Sequence, residues 1–505
     1  MLGRYTNGPL EKRTGIMGNL QPIFKDDLNF FHRFSFVWPR RCLIRCKKRF
    51  LNTRAQICYI RVLMEIVWKT LEVINWVVIG ISSLCFLFQL VMILFFWLKE
   101  KHFKPSENYG RCALIICARN EKDVIADTIR DLLENQNYPK DRFDVYVVAD
   151  NCTDNTAEIA ESSGAKVFVH NDPDPAHHRA AYAIQYGFQK IIESGEKYDF
   201  FIKFDADNHG NPDYIRAMND AYQEGVLVAR PYEASTNGDQ NTWTAVSATY
   251  YIRDSRIACN FRERLHLDSM LTGAGMMVAV SVIEALDGYW DALSTSDDSE
   301  FTLNRLLENK RVHYVVDAVV YEDQPSTMKD TWNRLTRMGH GLHGVFWKKG
   351  WRLLGHFFVS GRWSCVDLFV QLLMIPFTLL AFFWFIPYYV FYALSHLINW
   401  VGVEWMAGFS GLDGVLITSS VSQSAFINLL IMAAVVIGSF MVIYPLQTYL
   451  AMLMSKKKLG WKNFKGYKRA VILSPLFMVF YGLAVLVGVL TKPKWKQLKR
   501  NIVKK

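Results

Sequence analysis

The stretch Asp199–Asp207 reads DFFIKFDAD, an apolar run of strand length that ends on two carboxylates separated by one small residue. Outward from it the same grammar recurs. ALIICA (113–118) runs into Arg119-Asn120-Glu121, DVYVVAD (144–150) ends in Asp150-Asn151, and AKVFVH (165–170) follows. Polar helical patterns separate these runs: one reaching Asn135, one at Thr153–Ser163 and one at Arg179–Glu193. Short apolar runs alternating with helices predict βαβ units, and therefore an α/β domain whose parallel sheet carries helices on both faces. Ligands of such sheets bind beyond the carboxyl ends of the strands. The strand-end residues Arg119, Glu121, Asp150, Asp205 and Asp207 are thus expected along one edge of one sheet.

An acidic residue at a single strand end is ordinarily a turn or helix cap. Three such ends in one sheet ask for more. Carboxylates at i and i+2, here Asp205 and Asp207, can hold a hard divalent cation, Mg²⁺ or Mn²⁺. That ion can bridge a diphosphate and offset the charge that grows as a nucleoside diphosphate departs. Further on, SDDSEF (296–301) sets Asp297, Asp298 and Glu300 before the helical pattern FTLNRLLENK. Those acids either dress a helix N-terminus, which suits its dipole, or supply a general base for an acceptor hydroxyl. Arg334 and Arg337, at i and i+3, could clamp a diphosphate or meet lipid phosphates.

The rest of the 505 residues is written differently. The chain is 51% hydrophobic and 14% aromatic, with a mean hydropathy of +0.06, which suits one soluble domain joined to membrane segments. Spans are expected at 66–98, 364–397, 424–455 and 470–491, the last crossing or re-entrant, around cores such as INWVVIGISSLCFLFQLVMILFFW (74–97). Pro376 and Pro387 should kink the second. These segments hold almost no internal charge, which argues against an ion-coupled carrier.

The net charge of +11 is unevenly placed: residues 1–65 hold 13 Lys/Arg against four acids, and further basic clusters lie at Lys456–Lys458 and in the tail 492–505. Basic runs beside apolar segments point to anionic headgroups on the cytoplasmic side. Nucleic acid is not an expected partner, because no basic helix stands apart from membrane-like sequence. The loop 398–423 has Glu404 and Asp413 without Lys or Arg and should face outward, whereas 455–469 should face inward. Both termini also read as inward, which conflicts with the count of crossings unless residues 40–70 hold an interfacial or re-entrant helix or the charge rule fails at one end. No signal-peptide pattern precedes the first long apolar stretch. Nine scattered cysteines read as free thiols, and Cys42 and Cys46 lack nearby partners for a zinc site.

The order RNE, DN-x-TDNT, DAD, TGAG and DDSE, followed by an Arg-rich segment, resembles the membrane-bound family 2 glycosyltransferases, the cellulose, hyaluronan and chitin synthase-like enzymes. The resemblance runs from about Ile74 to the C-terminus. It implies a Rossmann-like GT-A catalytic domain over 105–330, interfacial helices over 331–363, a UDP-sugar donor, a cytoplasmic active site and inversion at the anomeric carbon. Position by position, Arg119, Glu121 and Asp150 would hold the uridine. Asp205 and Asp207 would bind the UDP phosphates through the metal, Thr272-Gly273-Ala274-Gly275 and Asp297 would border the acceptor, and Asp298 would be the base. Arg179 stands where many relatives carry lysine, and Arg334 and Arg337 would meet the diphosphate. One departure stands out: polymerising relatives read Gln-x-x-Arg-Trp where this chain reads Arg334-Leu-Thr-Arg337-Met338. Trp332 or Trp347 could replace the missing tryptophan. The leading expectation is a polysaccharide synthase, of exopolysaccharide or capsule type, using UDP-glucose or a similar donor. The alternative is transfer of one sugar to a lipid carrier or glycolipid. Self-association is left open.

Overall fold

The computed structural model describes residues 66–83, 91, 95, 97–401, 419–461 and 465–492. The basic region 1–65, the loop 402–418 and all of the tail but Lys492 lie outside the described residues. The chain divides into two units, Met1–Trp76 with Leu394–Phe426, and Val77–Ala393 with Ile427–Lys505. The second unit holds all eight strands: β1 Cys112–Ala118, β2 Phe143–Asp150, β3 Lys166–His170, β4 Phe200–Asp205, β5 His209–Gly210, β6 Val228–Ser235, β7 Met276–Ala279 and β8 Val312–Glu322. They form one sheet in the order β3-β2-β1-β4-β7-β6-β8-β5.

β1, β2, β3 and β4 pair in parallel, as the alternating pattern requires, and β7 enters antiparallel to both β4 and β6. The sheet is therefore mixed rather than purely parallel. β6 and β8 pair in parallel with a register shift between Pro231 and Tyr232. Proline has no N–H to give a ladder, so an irregularity there costs little.

Strand alternation builds two cores. Leu114, Ile116, Val147, Ile202 and Phe204 pack towards helices α1 (Ile125–Glu134) and α4 (Tyr214–Gln223). Ile115, Val148 and Phe201 pack on the other face, with Ile184, Phe188 and Ile191 of α3 (Ala180–Glu193). Between them lies the short α2 (Thr156–Ser162). Burying side chains of this size contributes about 1.5–3 kcal/mol each, which fixes the register and hence which strand residues reach the carboxyl edge.

Beyond β6 the chain forms α5 (Thr242–Arg253), capped by Asn241, then α6 (Asp297–Leu307) and α7 (Met328–Val345). α7 starts on a reciprocal cap: the Thr327 hydroxyl donates to the Asp330 carboxylate at 2.6 Å and accepts from the Asp330 amide at 3.1 Å. A π-turn, Phe346–Gly350, leads to α8 (Trp351–Ser360), then α9 (Trp363–Leu380), α10 (Ile386–Val401), α11 (Ser419–Ser455) and α12 (Lys468–Leu490).

Three described helices are long and apolar enough to cross a membrane: Ile66–Ser83, Phe426–Ser455 within α11, and α12. The expected span 364–397 falls on an uninterrupted helical run, in which α9 passes through a π-turn at Ala381–Phe385 into α10, with Pro387 just after the π-turn. Its first turns are tied to the sheet domain, because Arg262 reaches the fully buried Asp367 at 2.7 and 3.2 Å. α11 and α12 differ sharply. No residue in the apolar window of α11 is buried, whereas 44% of the window of α12 is buried. α12 lies against α7, where a Cβ on Gly339 would meet the Val485 Cα at 2.8 Å and one on Gly488 would overlap the Thr336 carbonyl. Only glycine permits this backbone-to-backbone approach.

Candidate functional site

The carboxyl edge of β1, β2 and β4 brings the expected strand-end residues together. Each of the first two strands ends in an asparagine in the left-handed region, Asn120 at φ 57° and Asn151 at φ 48°. Asparagine bears that conformation better than most residues, and non-glycine residues held there are a recurrent mark of functional turns. The turns lock onto neighbouring loops, with the Asn120 side chain accepting from the Thr153 amide at 2.7 Å and the Asn151 side chain from the Asp172 amide at 3.0 Å.

Asp150 is buried at the centre of this corner. Its Oδ2 accepts from Arg119 at 2.7 Å; its Oδ1 accepts from Asn151 at 2.6 Å and lies 2.8 Å from His170 Nδ1. Arg119 also donates to the Asp150 and His178 carbonyls. The Glu121 amide is bound by Thr156, and the exposed Arg179 donates to the Leu293 carbonyl at 3.2 Å, which draws the β3–α3 loop towards the segment before α6. His170 escaped the sequence reading. Its position at the end of an apolar run was the available signal.

Across the edge, Asp205 and Asp207 sit on the turn after β4. Asn208 ties that turn, donating to Asp207 and accepting from the Asp205 amide at 2.9 Å. Asp205 Oδ1 accepts from Lys203 at 2.5 Å, while its side chain stays 41% exposed. Among the described residues no three His, Cys, Asp or Glu side chains close into a protein-only metal cage. Two carboxylates on one turn do fit a hard cation that takes its remaining oxygens from a diphosphate and water.

The third part comes from the loop before β7 and from the first turn of α6. Gly273 and Gly275 have φ of 86° and 64°, and a side chain at Gly275 would collide with Tyr214 and meet Pro231. Thr272 donates to the buried Glu233, which pairs with Arg230 at 3.2 Å. Beside Gly273, Asp298 Oδ2 and Lys203 Nζ lie 3.4 and 3.6 Å from one point, the place a Cβ would take. Asp298 Oδ1 accepts from the Ser299 amide at 2.7 Å. One oxygen of Asp298 thus satisfies the helix start, while the other lies beside Gly273. Desolvation, with Asp298 alongside, pushes the Asp297 carboxyl up to about 7, and desolvation also raises Asp298.

The two arginines of α7 part company. Arg334 is held by both oxygens of Glu322 at 2.8 and 2.9 Å and lies over the Tyr251 ring. It is thus engaged by an ion pair with the end of β8, while also lying within electrostatic reach of Asp207. Arg337 is within electrostatic reach of Asp205, Asp298 and Glu322, and among the described residues it makes no hydrogen bond or ion pair. Glu322, Glu233 and Lys203 were also missed in the sequence. Glu322 and Glu233 are carried by strands whose pairing only the fold reveals, but Lys203 interrupts an otherwise apolar strand and was visible.

Residues 110–341 match the family model described as glycosyltransferase like family 2. That stretch is similar to family 2 glycosyltransferases. It spans every expected site residue from Arg119 to Arg337. Among curated proteins, the chain is 27% identical over 271 residues to the probable glycosyltransferase YdaM of Bacillus subtilis (strain 168), covering 51% of this chain and 61% of that one. It is 26% identical over 244 residues to a beta-monoglucosyldiacylglycerol synthase of Synechocystis sp., covering 46% and 48%. The chain thus spans about half to three fifths of the length of these relatives. Among solved structures, a mannosyltransferase of Pyrobaculum calidifontis in complex with GDP-Man and Mn²⁺ is 15% identical, with a TM-score of 0.45 over 83% of this chain and 99% of that one.

Proposed function

We propose that the protein is an inverting hexosyltransferase that moves one sugar from a UDP-sugar, UDP-glucose being the first candidate, to the hydroxyl of a membrane lipid or lipid carrier at the cytoplasmic face. The carrying observation is the placement of Arg337. Among the described residues it has no ion partner, it lies within electrostatic reach of both Asp205 and Asp298, and it stands on a helix pressed backbone-to-backbone against the apolar α12. Donor chemistry and membrane thereby meet on α7.

In this reading Arg119, Glu121 and Asp150 hold the nucleoside, and Arg179 flanks the donor. Asp205 and Asp207 would hold Mg²⁺ or Mn²⁺, which when bound neutralises diphosphate charge. Thr272, Gly273, Gly275 and Asp297 shape the acceptor side. Asp298 Oδ2 takes the proton of the acceptor hydroxyl as its oxygen attacks the anomeric carbon from the face opposite the diphosphate. The new C–O bond forms as the bond to the diphosphate breaks, and the electron pair leaves with UDP, beside Arg337. α8, with Trp351 and Phe358 exposed next to Trp347 and Trp363, suits the membrane interface.

A second reading, a polysaccharide synthase making a capsule-type glycan, draws on the aromatic group Trp243, Tyr250, Trp332, Phe480 and Tyr481. Those rings touch one another between α5, α7 and α12. They fill that space rather than line a passage, and together with the closed α7–α12 contact this favours single transfer. The test is product analysis by thin-layer chromatography and mass spectrometry after incubating purified protein with labelled UDP-sugars, Mn²⁺ and membrane lipid. One added hexose on an extracted lipid is expected; a water-soluble polymer would establish the second reading instead.

A further inference from the structure

Lys203 is a charged residue inside a strand that is otherwise apolar up to Asp205. Strand alternation turns it to the same face as Phe201 and Asp205, and it is only 8% exposed. Its ammonium touches Asp205 at 2.5 Å and shares with Asp298 the small space beside Gly273. A lysine on a surface could swing into solvent when a second cation approached. This one is confined by its burial, so its charge is a fixed part of the floor under Asp205.

We propose that Lys203 is a positioning residue that keeps the Asp205–Asp207 turn closed to a free divalent cation and admits the ion only together with a nucleoside diphosphate. The inference rests on the reading of that turn as the cation site. Two carboxylates alone would attract a divalent ion, but here Asp205 already holds the Lys203 ammonium at 2.5 Å and lies within electrostatic reach of Arg337, which among the described residues makes no ion pair of the kind Glu322 makes with Arg334. Asp205 is therefore already neutralised by Lys203, and a lone cation must compete with a buried ammonium to bind it. A diphosphate brings the missing negative charge and satisfies Lys203 and Arg337 while it supplies oxygens to the ion. A purely structural role, in which Lys203 only neutralises Asp205, makes the opposite forecast for metal binding: loss of the lysine would disorder the carboxylate and weaken the site.

The experiment measures Mn²⁺ binding by electron paramagnetic resonance of the free ion, on the full chain in detergent, with and without UDP. Wild type and Lys203→Arg are expected to bind Mn²⁺ at least tenfold more tightly with UDP than without it. Lys203→Met is expected to bind free Mn²⁺ at least tenfold more tightly than wild type and to lose most of the UDP dependence. Lys203→Gln, which keeps a hydrogen bond without the charge, carries the same expectation should the methionine variant fail to fold. Free-Mn²⁺ affinity in the neutral variants equal to or weaker than wild type, or a wild type indifferent to UDP, overturns the proposal and leaves the transfer reading intact. If Asp205→Asn binds Mn²⁺ with UDP as tightly as wild type, the ion is held elsewhere, and both the proposal and the assigned cation site fall.

Discussion

At the carboxyl edge of β1 and β2, Asp150 is engaged by Arg119, Asn151 and His170, and the asparagine turns are locked to their neighbouring loops. On α7 the opposite holds for Arg337, which faces carboxylates without bonding to any described residue. The first region is preorganised, so a planar, uncharged nucleoside could dock against rigid groups with little reordering. The second keeps charge in reserve, as suits a region where charge develops only when a bond breaks. Under the proposed function, the difference separates recognition from chemistry.

That contrast can be broken most severely at Asp298. Asp298→Asn should lower the transfer rate by roughly 10²–10⁴-fold while donor binding survives, because a general base contributes about that much; steady-state kinetics beside UDP titration checks both halves. Next is Arg337→Ala, for which kcat/KM should drop about 10–100-fold through loss of charge-assisted hydrogen bonds worth about 1.5–3 kcal/mol. Arg334→Ala should act mainly on thermal stability by freeing Glu322, and equal kinetic losses from the two substitutions would erase the distinction drawn between them. Gly488→Leu should cost about 1–3 kcal/mol by forcing α7 off α12, read as a lower unfolding temperature in detergent. A neutral result there would remove the backbone contact from the case for a lipid acceptor.

The smallest effect concerns pH. Asp297 has a folded-state value of about 7 against an ordinary 3.8, so the fold favours its protonated form. The stability this contributes is present below the ordinary value and is lost as pH rises through about 7. Asp297→Asn should therefore gain stability relative to wild type above pH 7. It should also move the acid limb of kcat/KM to lower pH, since Asp298 no longer shares its surroundings with a second carboxylate. An unmoved limb in a pH–rate series would separate Asp297 from the base.

Much of the catalytic domain was legible because the pattern that makes its first strands is local. Apolar runs with polar ends announce a sheet edge, and Asp150, Asp205 and the Arg119 segment did arrive at one edge. β7 was not legible as antiparallel, since MMVA carries no sign of its direction. The expected span at 364–397 looked like a plain apolar run to a hydropathy count, but Asp367 near its start belongs to an ion pair with the sheet domain, and its helix passes through a π-turn just before Pro387.

By itself the sequence determined the alternating α/β domain, its polar strand ends, the acidic first turn before α6 and the apolar helices, because each depends on periodicity within a short window. Only the tertiary structure decided which of two arginines one turn apart is committed to Glu322, which lysine sits beneath Asp205, and how closely α7 meets α12. Those outcomes depend on contacts between residues far apart in the chain, where burial and distance set the strength of a charge.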